Sequence, residues 1–309
     1  VDFPQEPVLV FPCWIGGPVR FSYAESMTDP SFYAPLARAA EEAGYDSMVV
    51  PDGICYPRHA SSRYPFTPDG GREFLEDKPF IEPFSLIPAL GAVTTRLRFV
   101  TFVVKLPVRS PVLVAKQATS TAVLTGNRLV LGVGTSPWRE DYEVLGVPWA
   151  DRGRRMDEEL AIIRGLSAGG YFEYHGEIFD LPPVKIAPVP SEPIPVLIGG
   201  HGDAALRRAA RAGDGWLHGG GDAAELPRLL ARLGEFRRRE GTAGRPFEVH
   251  VISMDAYSPD GVRRLEEQGV TDAIVGFRWP YQTGPDREPL AEKLAKLRGF
   301  AEDVIATVR

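Results

Sequence analysis

Apolar and polar positions alternate along the chain in two distinct periods. Short runs rich in β-branched residues are each followed by a longer run in which apolar residues recur every three to four positions. The runs at 8–11, 46–50, 97–104, 128–133, 194–198, 215–218, 247–253 and 272–275 read as strands. Those at 30–43, 83–94, 111–124, 152–166, 204–212, 223–240, 260–268 and 288–308 read as helices. Over 30–43, Leu36, Ala39, Ala40 and Ala43 share one face and Gly44 stops the helix. Asp151 is placed to cap the helix that starts at 152. The near-continuous apolar run from Phe99 to Val104 suits a parallel strand covered on both faces.

Eight strand–helix units predict an α/β protein: a single (β/α)8 TIM barrel domain over 1–309, since an open doubly wound sheet seldom needs eight equivalent units. Two stretches depart from the alternation and read as insertion loops. One, 51–82, follows strand two and is rich in Pro, Gly and aromatic residues; the other, 167–195, follows the fourth helix.

Charge then narrows the function classes. Lys and Arg number 35 against 41 Asp and Glu, a net charge of −6, which argues against a nucleic-acid partner. Cys13 and Cys55 are too few for a disulfide scaffold, and no charged leader with an apolar stretch opens the chain, which points to the cytoplasm. The most apolar stretch, 99–108, is broken by Lys105 and Pro107, short of the roughly 20 residues that span a bilayer. A small molecule is the expected partner, with neither nucleic acid nor membrane.

In a barrel of this kind the site lies just beyond the strands' C-terminal ends. There the sequence places Cys13-Trp14, Asp52-Gly53, Lys105, Gly134-Thr135-Ser136, the run Gly199 to Gly202, His218, Asp255 and Phe277-Arg278-Trp279. These residues hold no nucleophile elbow, catalytic triad, metal-binding His pair or close carboxylate pair, so the chemistry is expected to come from a bound cofactor. Gly199-Gly200-His201-Gly202 opens a helix, where backbone N–H groups and the helix dipole suit a phosphate. The same glycines also suit a plain tight turn with Asp203 capping the helix. Gly132-Val133-Gly134-Thr135-Ser136 is only superficially Rossmann-like, because Pro137 replaces the third glycine.

Several ordered blocks carry a resemblance to a known family. They are 97–118 (LRFVTFVVKLPVRSPVLVAKQA), 124–134 (LTGNRLVLGVG), Leu145-Gly146-Val147-Pro148, 152–158 (RGRRMDE), Ile198-Gly199-Gly200 and 212–216 (AGDGW). Together they resemble the luciferase-like monooxygenases, (β/α)8 barrels that bind FMN or the deazaflavin coenzyme F420. The resemblance implies a non-proline cis peptide at Phe102–Val103, at a bulge that supports the central ring of the cofactor, with Thr101 beside it. It implies a phosphate turn at Gly199, Gly200, His201 and Gly202. It also brings Asp52, Thr135, Ser136 and Glu140 near the cofactor, and it implies pairing of barrels through outer helices as a homodimer.

The chain departs from the family at Asp52-Gly53, where many deazaflavin members carry Asp-His. The acid or base is therefore open among Asp52, His201 and Glu140, although Glu140 equally suits a solvated helix position. Trp14, Tyr56, Trp138 and Trp279 suggest an aromatic substrate pocket. No lysine occurs between 186 and 292, where the family's sugar-phosphate dehydrogenases use lysines, so that substrate is not expected. The charged residues from Arg152 to Glu159 read as a salt-bridged helix surface. The activity these features imply is hydride transfer between F420 and a small organic substrate. FMN-dependent oxygenation is the alternative, and a cofactor-free aldolase with Lys105 as Schiff-base amine is a third reading.

Overall fold

A computed structural model describes residues 17–25, 27–67 and 69–309. The chain runs β1 (Arg20–Ala24), α1 (Tyr33–Glu42), β2 (Ser47–Val50), α2 (Pro83–Gly91), β3 (Arg98–Thr101) and β4 (Val104–Lys105). It continues through α3 (Pro111–Leu124), β5 (Leu129–Gly134), α4 (Arg139–Val144), α5 (Arg152–Ser167), β6 (Phe172–His175) and β7 (Asp180–Val184). The last part holds β8 (Val196–Gly199), α6 (Asp203–Ala212), β9 (Gly215–Leu217), α7 (Leu226–Arg239), β10 (Glu248–Ile252), α8 (Pro259–Glu267), β11 (Asp272–Val275) and α9 (Leu290–Phe300).

All pairings in the large sheet are parallel, in the order β3-β2-β1-β11-β10-β9-β8-β5-β4, and β3 also pairs with β5. That second pairing closes the ring. Because β3 and β4 form one interrupted stave, the ring has eight staves and is a (β/α)8 barrel. The insertion after the fourth barrel helix carries the antiparallel β6–β7 hairpin. Among the described residues, no helix is long and apolar enough to cross a membrane.

Two apolar layers stabilise the barrel. The larger lies between strands and helices and includes Phe21, Leu36, Ile87, Val133, Ile198 and Leu265. The smaller fills the lumen with Val49, Val100, Val130, Leu197, Leu217 and Ile274. Below it, at the strands' N-terminal ends, the inward positions are charged. Arg20 reaches Asp272 at 2.6 Å and Glu248 at 3.2 Å, Arg98 reaches Glu248 at 2.9 Å, and His250 lies 2.7 Å from Glu248. Glu248, His250 and Asp272 bring ligand atoms within 4.8 Å of one another. Two guanidiniums already compensate the two carboxylates, so the floor is an ion network closed on itself.

This floor corrects the sequence reading of the first strand. The expected strand at 8–11, with Cys13 and Trp14 behind it, lies outside the described residues. The first stave is β1, held between β2 and β11. Its inward residues are Arg20, engaged with Asp272, and Ser22, whose hydroxyl meets that of Ser47 at 2.5 Å. A strand with polar inward residues lacks the apolar run by which the others were recognised.

Two helix readings also change. Asp151 sits at φ +58 and its side chain makes no capping bond; it pairs with Arg154 at 2.7 Å instead. On α5, Glu158 accepts the amides of Glu177, Ile178 and Phe179, Asp157 pairs with Arg208, and Glu159 is fully buried beside Arg155. The helix is therefore an anchor for its neighbours rather than a solvated surface.

Candidate active site at the barrel mouth

The sheet hydrogen bonds of the third stave are interrupted between Thr101 and Val104, and the Phe102–Val103 peptide there is cis, as the resemblance implies. Val103 turns toward the lumen, where the neighbouring strands offer glycine. A Cβ on Gly134 would lie 2.8 Å from Val103 Cγ2, and one on Gly199 would lie 3.1 Å from Val103 Cγ1. A Cβ on Gly132 would fall 1.9 Å from the Thr101 carbonyl oxygen. Around Val103 the upper lumen is thus a surface low in relief, with backbone at 134 and 199 facing that side chain. Thr101 lies under that surface, fully buried, and its hydroxyl donates to the Gly132 carbonyl at 2.7 Å. It joins two strands rather than presenting a hydroxyl to the mouth.

Charged groups converge on one side of this surface. Asp52 accepts from the Lys105 amide at 3.0 Å and from Arg109 Nη2 at 2.7 and 2.8 Å. Lys105 Nζ lies 2.8 Å from Asp141, and Ser136 Oγ donates to the same Asp141 oxygen at 2.6 Å. An ion-paired ammonium is a poor Schiff-base nucleophile, which requires the neutral amine. Glu140 is also committed, and at 6% exposure it is no solvated residue. Its carboxylate accepts the amides of Ser61 at 2.6 Å and Ser62 at 3.2 Å. Burial pushes its pKa up, yet hydrogen bonds from Ser62 and Ser61 outweigh that and hold it at about 2. Glu140 therefore clamps the long insertion onto the mouth. Thr135 presents its carbonyl to the Tyr142 hydroxyl.

Across the mouth, Gly200 has φ +123, and a Cβ there would meet Ala205 Cβ at 2.9 Å. Its carbonyl accepts from Trp216 Nε1 at 2.8 Å. His201 Nε2 accepts the Gly219 amide at 3.2 Å, and its ring stacks on His218 at 4.6 Å and 7°. Burial lowers the pKa of His201; burial and the neighbouring His201 hold His218 down at about 4. Both rings are neutral at pH 7. Gly202 begins α6 in extended backbone without a side-chain cap, and Asp203 pairs with Arg232 at 2.6 Å instead of capping the helix.

The insertion after β2 roofs the mouth with aromatic rings. Tyr64 stacks on Trp138 at 5.6 Å and meets Phe74 and Tyr281 edge-on, while Phe66 lies edge-on to His201 at 5.5 Å. Arg72 lies 4.5 Å over the Tyr56 ring. Trp279, 65% exposed, stands at the rim beside Tyr281. Tyr56 and Trp138 both lie under Arg72, whereas Trp279 connects to Trp138 through Tyr281 and Tyr64. Tyr64, Phe66, Phe74 and Tyr281 were not singled out, although the aromatic content of 51–82 was the signal for the first three. Arg109 and Asp141 were also missed, because a charge partner distant in sequence leaves no local pattern.

Residues 18–296 match the luciferase-like monooxygenase family. The chain belongs to this family. An uncharacterised protein of Mycobacterium tuberculosis is 63% identical over 290 residues, covering 94% of this chain and all of that protein. An F420-dependent glucose-6-phosphate dehydrogenase of Nakamurella multipartita is 33% identical over 217 residues, covering 68% of this chain and 58% of that enzyme. The fold matches coenzyme F420-dependent tetrahydromethanopterin reductase from Methanopyrus kandleri with a TM-score of 0.71 at 15% identity, over 95% of this chain and all of that one. This luciferase-like barrel is thus of a flavin- or F420-type oxidoreductase or monooxygenase family.

Proposed function

We propose that the chain is an F420-dependent oxidoreductase that moves a hydride between the deazaflavin and a small organic substrate. The observation that carries the reading is the upper lumen at the interrupted third stave, where Gly134 and Gly199 leave their side-chain space to Val103. Relatives named for F420 support the deazaflavin over FMN.

When bound, the deazaflavin supplies the hydride donor or acceptor. The chain's own residues do the rest. Val103, Gly134 and Gly199 form the bed for the ring, and Gly200 with His201 and Gly202 presents backbone at the start of α6, where an anion is favoured. Asp52 braces the third stave through the Lys105 amide and Arg109. The roof of Tyr64, Phe66, Phe74 and Tyr281 excludes water, and Tyr56, Trp138 and Trp279 form an aromatic wall for the substrate. Arg278 near the rim is already paired with Asp286 at 3.2 Å, and no lysine lies between 186 and 292. A sugar phosphate is therefore not the substrate proposed.

Titration of the purified chain with F420 and with FMN, read by cofactor fluorescence, tests the choice. F420 is expected to bind at least tenfold more tightly; tighter binding of FMN would transfer the reading to a flavin monooxygenase.

A further inference from the structure

The Lys105 ammonium has no part in the scheme above, yet it stands inside the mouth. Lys105 pairs in register with Gly134, and Gly134 is an inward position against Val103. The side chain therefore enters the lumen from the same stave that carries the cis peptide, and it is only 8% exposed. Its position is fixed from both ends. Asp52 holds its amide, and Asp141 holds Nζ at 2.8 Å while itself accepting from Ser136 Oγ at 2.6 Å. Ser136 keeps φ +60, a conformation that a residue with a Cβ adopts only where its surroundings impose it. Asp141, 2% exposed, thereby fixes one buried cation on the stave position opposite Gly134.

We infer that the Lys105 ammonium sets the redox poise of a ring bound at the mouth. The inference rests on the reading of the mouth as a deazaflavin or flavin site. Hydride uptake from the substrate, which is oxidised in the process, adds two electrons and one proton to the ring and leaves it one charge more negative. A buried cation nearby favours that reduced form over the oxidised one. Asp141 carries the opposite charge, so removing it and removing the ammonium move the ring's potential in opposite directions. The Lys105–Asp141 pair is then a tuning device as well as a support.

The test compares affinities of the full chain for F420, and for FMN, in oxidised and in reduced form. Lys105→Met is expected to weaken binding of the reduced form about tenfold relative to the oxidised form, which corresponds to a drop of about 30 mV in the potential of the bound two-electron couple. Asp141→Asn, which keeps the ammonium and removes its counter-charge, moves the ratio in the opposite direction, and Lys105→Arg preserves it. An unchanged ratio in Lys105→Met, or equal weakening of both forms, overturns the inference. Failure of the unmodified chain to bind either cofactor overturns the reading of the mouth itself, an outcome separable from intact binding with an unchanged ratio. A cofactor-free readout exists as well. Burial and Asp141 push the Cys55 thiol pKa up while Lys105 holds it down. In a Cys13→Ser background, Lys105→Met must therefore raise the Cys55 pKa, read from the pH dependence of alkylation; an unmoved thiol pKa would contradict the placement of the ammonium.

Discussion

Val103 occupies the space that a side chain on Gly134 would need: a Cβ there would come within 2.8 Å of Val103 Cγ2. The two positions are therefore coupled. Gly134→Val must displace Val103 or its stave, and such overpacking costs about 1–3 kcal/mol. The variant is expected to unfold at lower denaturant concentration and to lose cofactor binding. Chemical denaturation and fluorescence titration check both effects.

Gly200 tests the opposite side of the mouth. Its φ of +123 and the 2.9 Å approach of Ala205 make any β-carbon unwelcome, at a cost of roughly 1 kcal/mol or more for the backbone alone. The turn lies at the rim, so Gly200→Val is expected to keep the barrel folded by circular dichroism while cofactor affinity falls at least tenfold. Unchanged affinity would place the phosphate elsewhere.

The Asp52–Arg109 pair is mostly enclosed, with side-chain exposures of 1% and 19%. Asp52→Asn leaves Arg109 without its counter-charge, and removal of one member of a buried pair costs on the order of 3–5 kcal/mol. A loss in that range is expected by urea unfolding. Arg109→Met combined with Asp52→Asn should recover part of it, since neither charge is then left alone.

His218 gives the fold a dependence on acidity. Its pKa is held at about 4, against an ordinary 6.5, by burial and by His201. Below pH 6.5 the unfolded chain takes up a proton that the folded chain refuses, so stability falls as the pH drops from about 6.5 toward 4, by at most about 3 kcal/mol. His218→Phe removes this contribution. Stability measured between pH 7 and 4.5 should decline less steeply in the variant than in the unmodified chain.

The barrel was legible where a strand is apolar inward and outward, as in Phe99 to Thr101, and where helix punctuation is strong, as at Pro111. It was illegible at β1, whose inward Arg20 and Ser22 make sense only once Asp272 and Ser47 stand opposite. The same limit governed the site. Gly199, Gly200 and the Phe102–Val103 peptide belong to contiguous motifs and could be read. Glu140 was read as near the cofactor, but its grip on Ser61 and Ser62 depends on a fold-back of the insertion that no local period encodes. The Lys105–Asp141 and Asp52–Arg109 pairs are likewise products of the closed ring.

The central claim is that the mouth is a deazaflavin site, and the structure of the complex with F420 tests it most directly. The ring is expected against Val103 and the glycines at 134 and 199, with the phosphate at Gly200 and the start of α6. A ring seated away from Val103, or a phosphate bound at another loop, would contradict it.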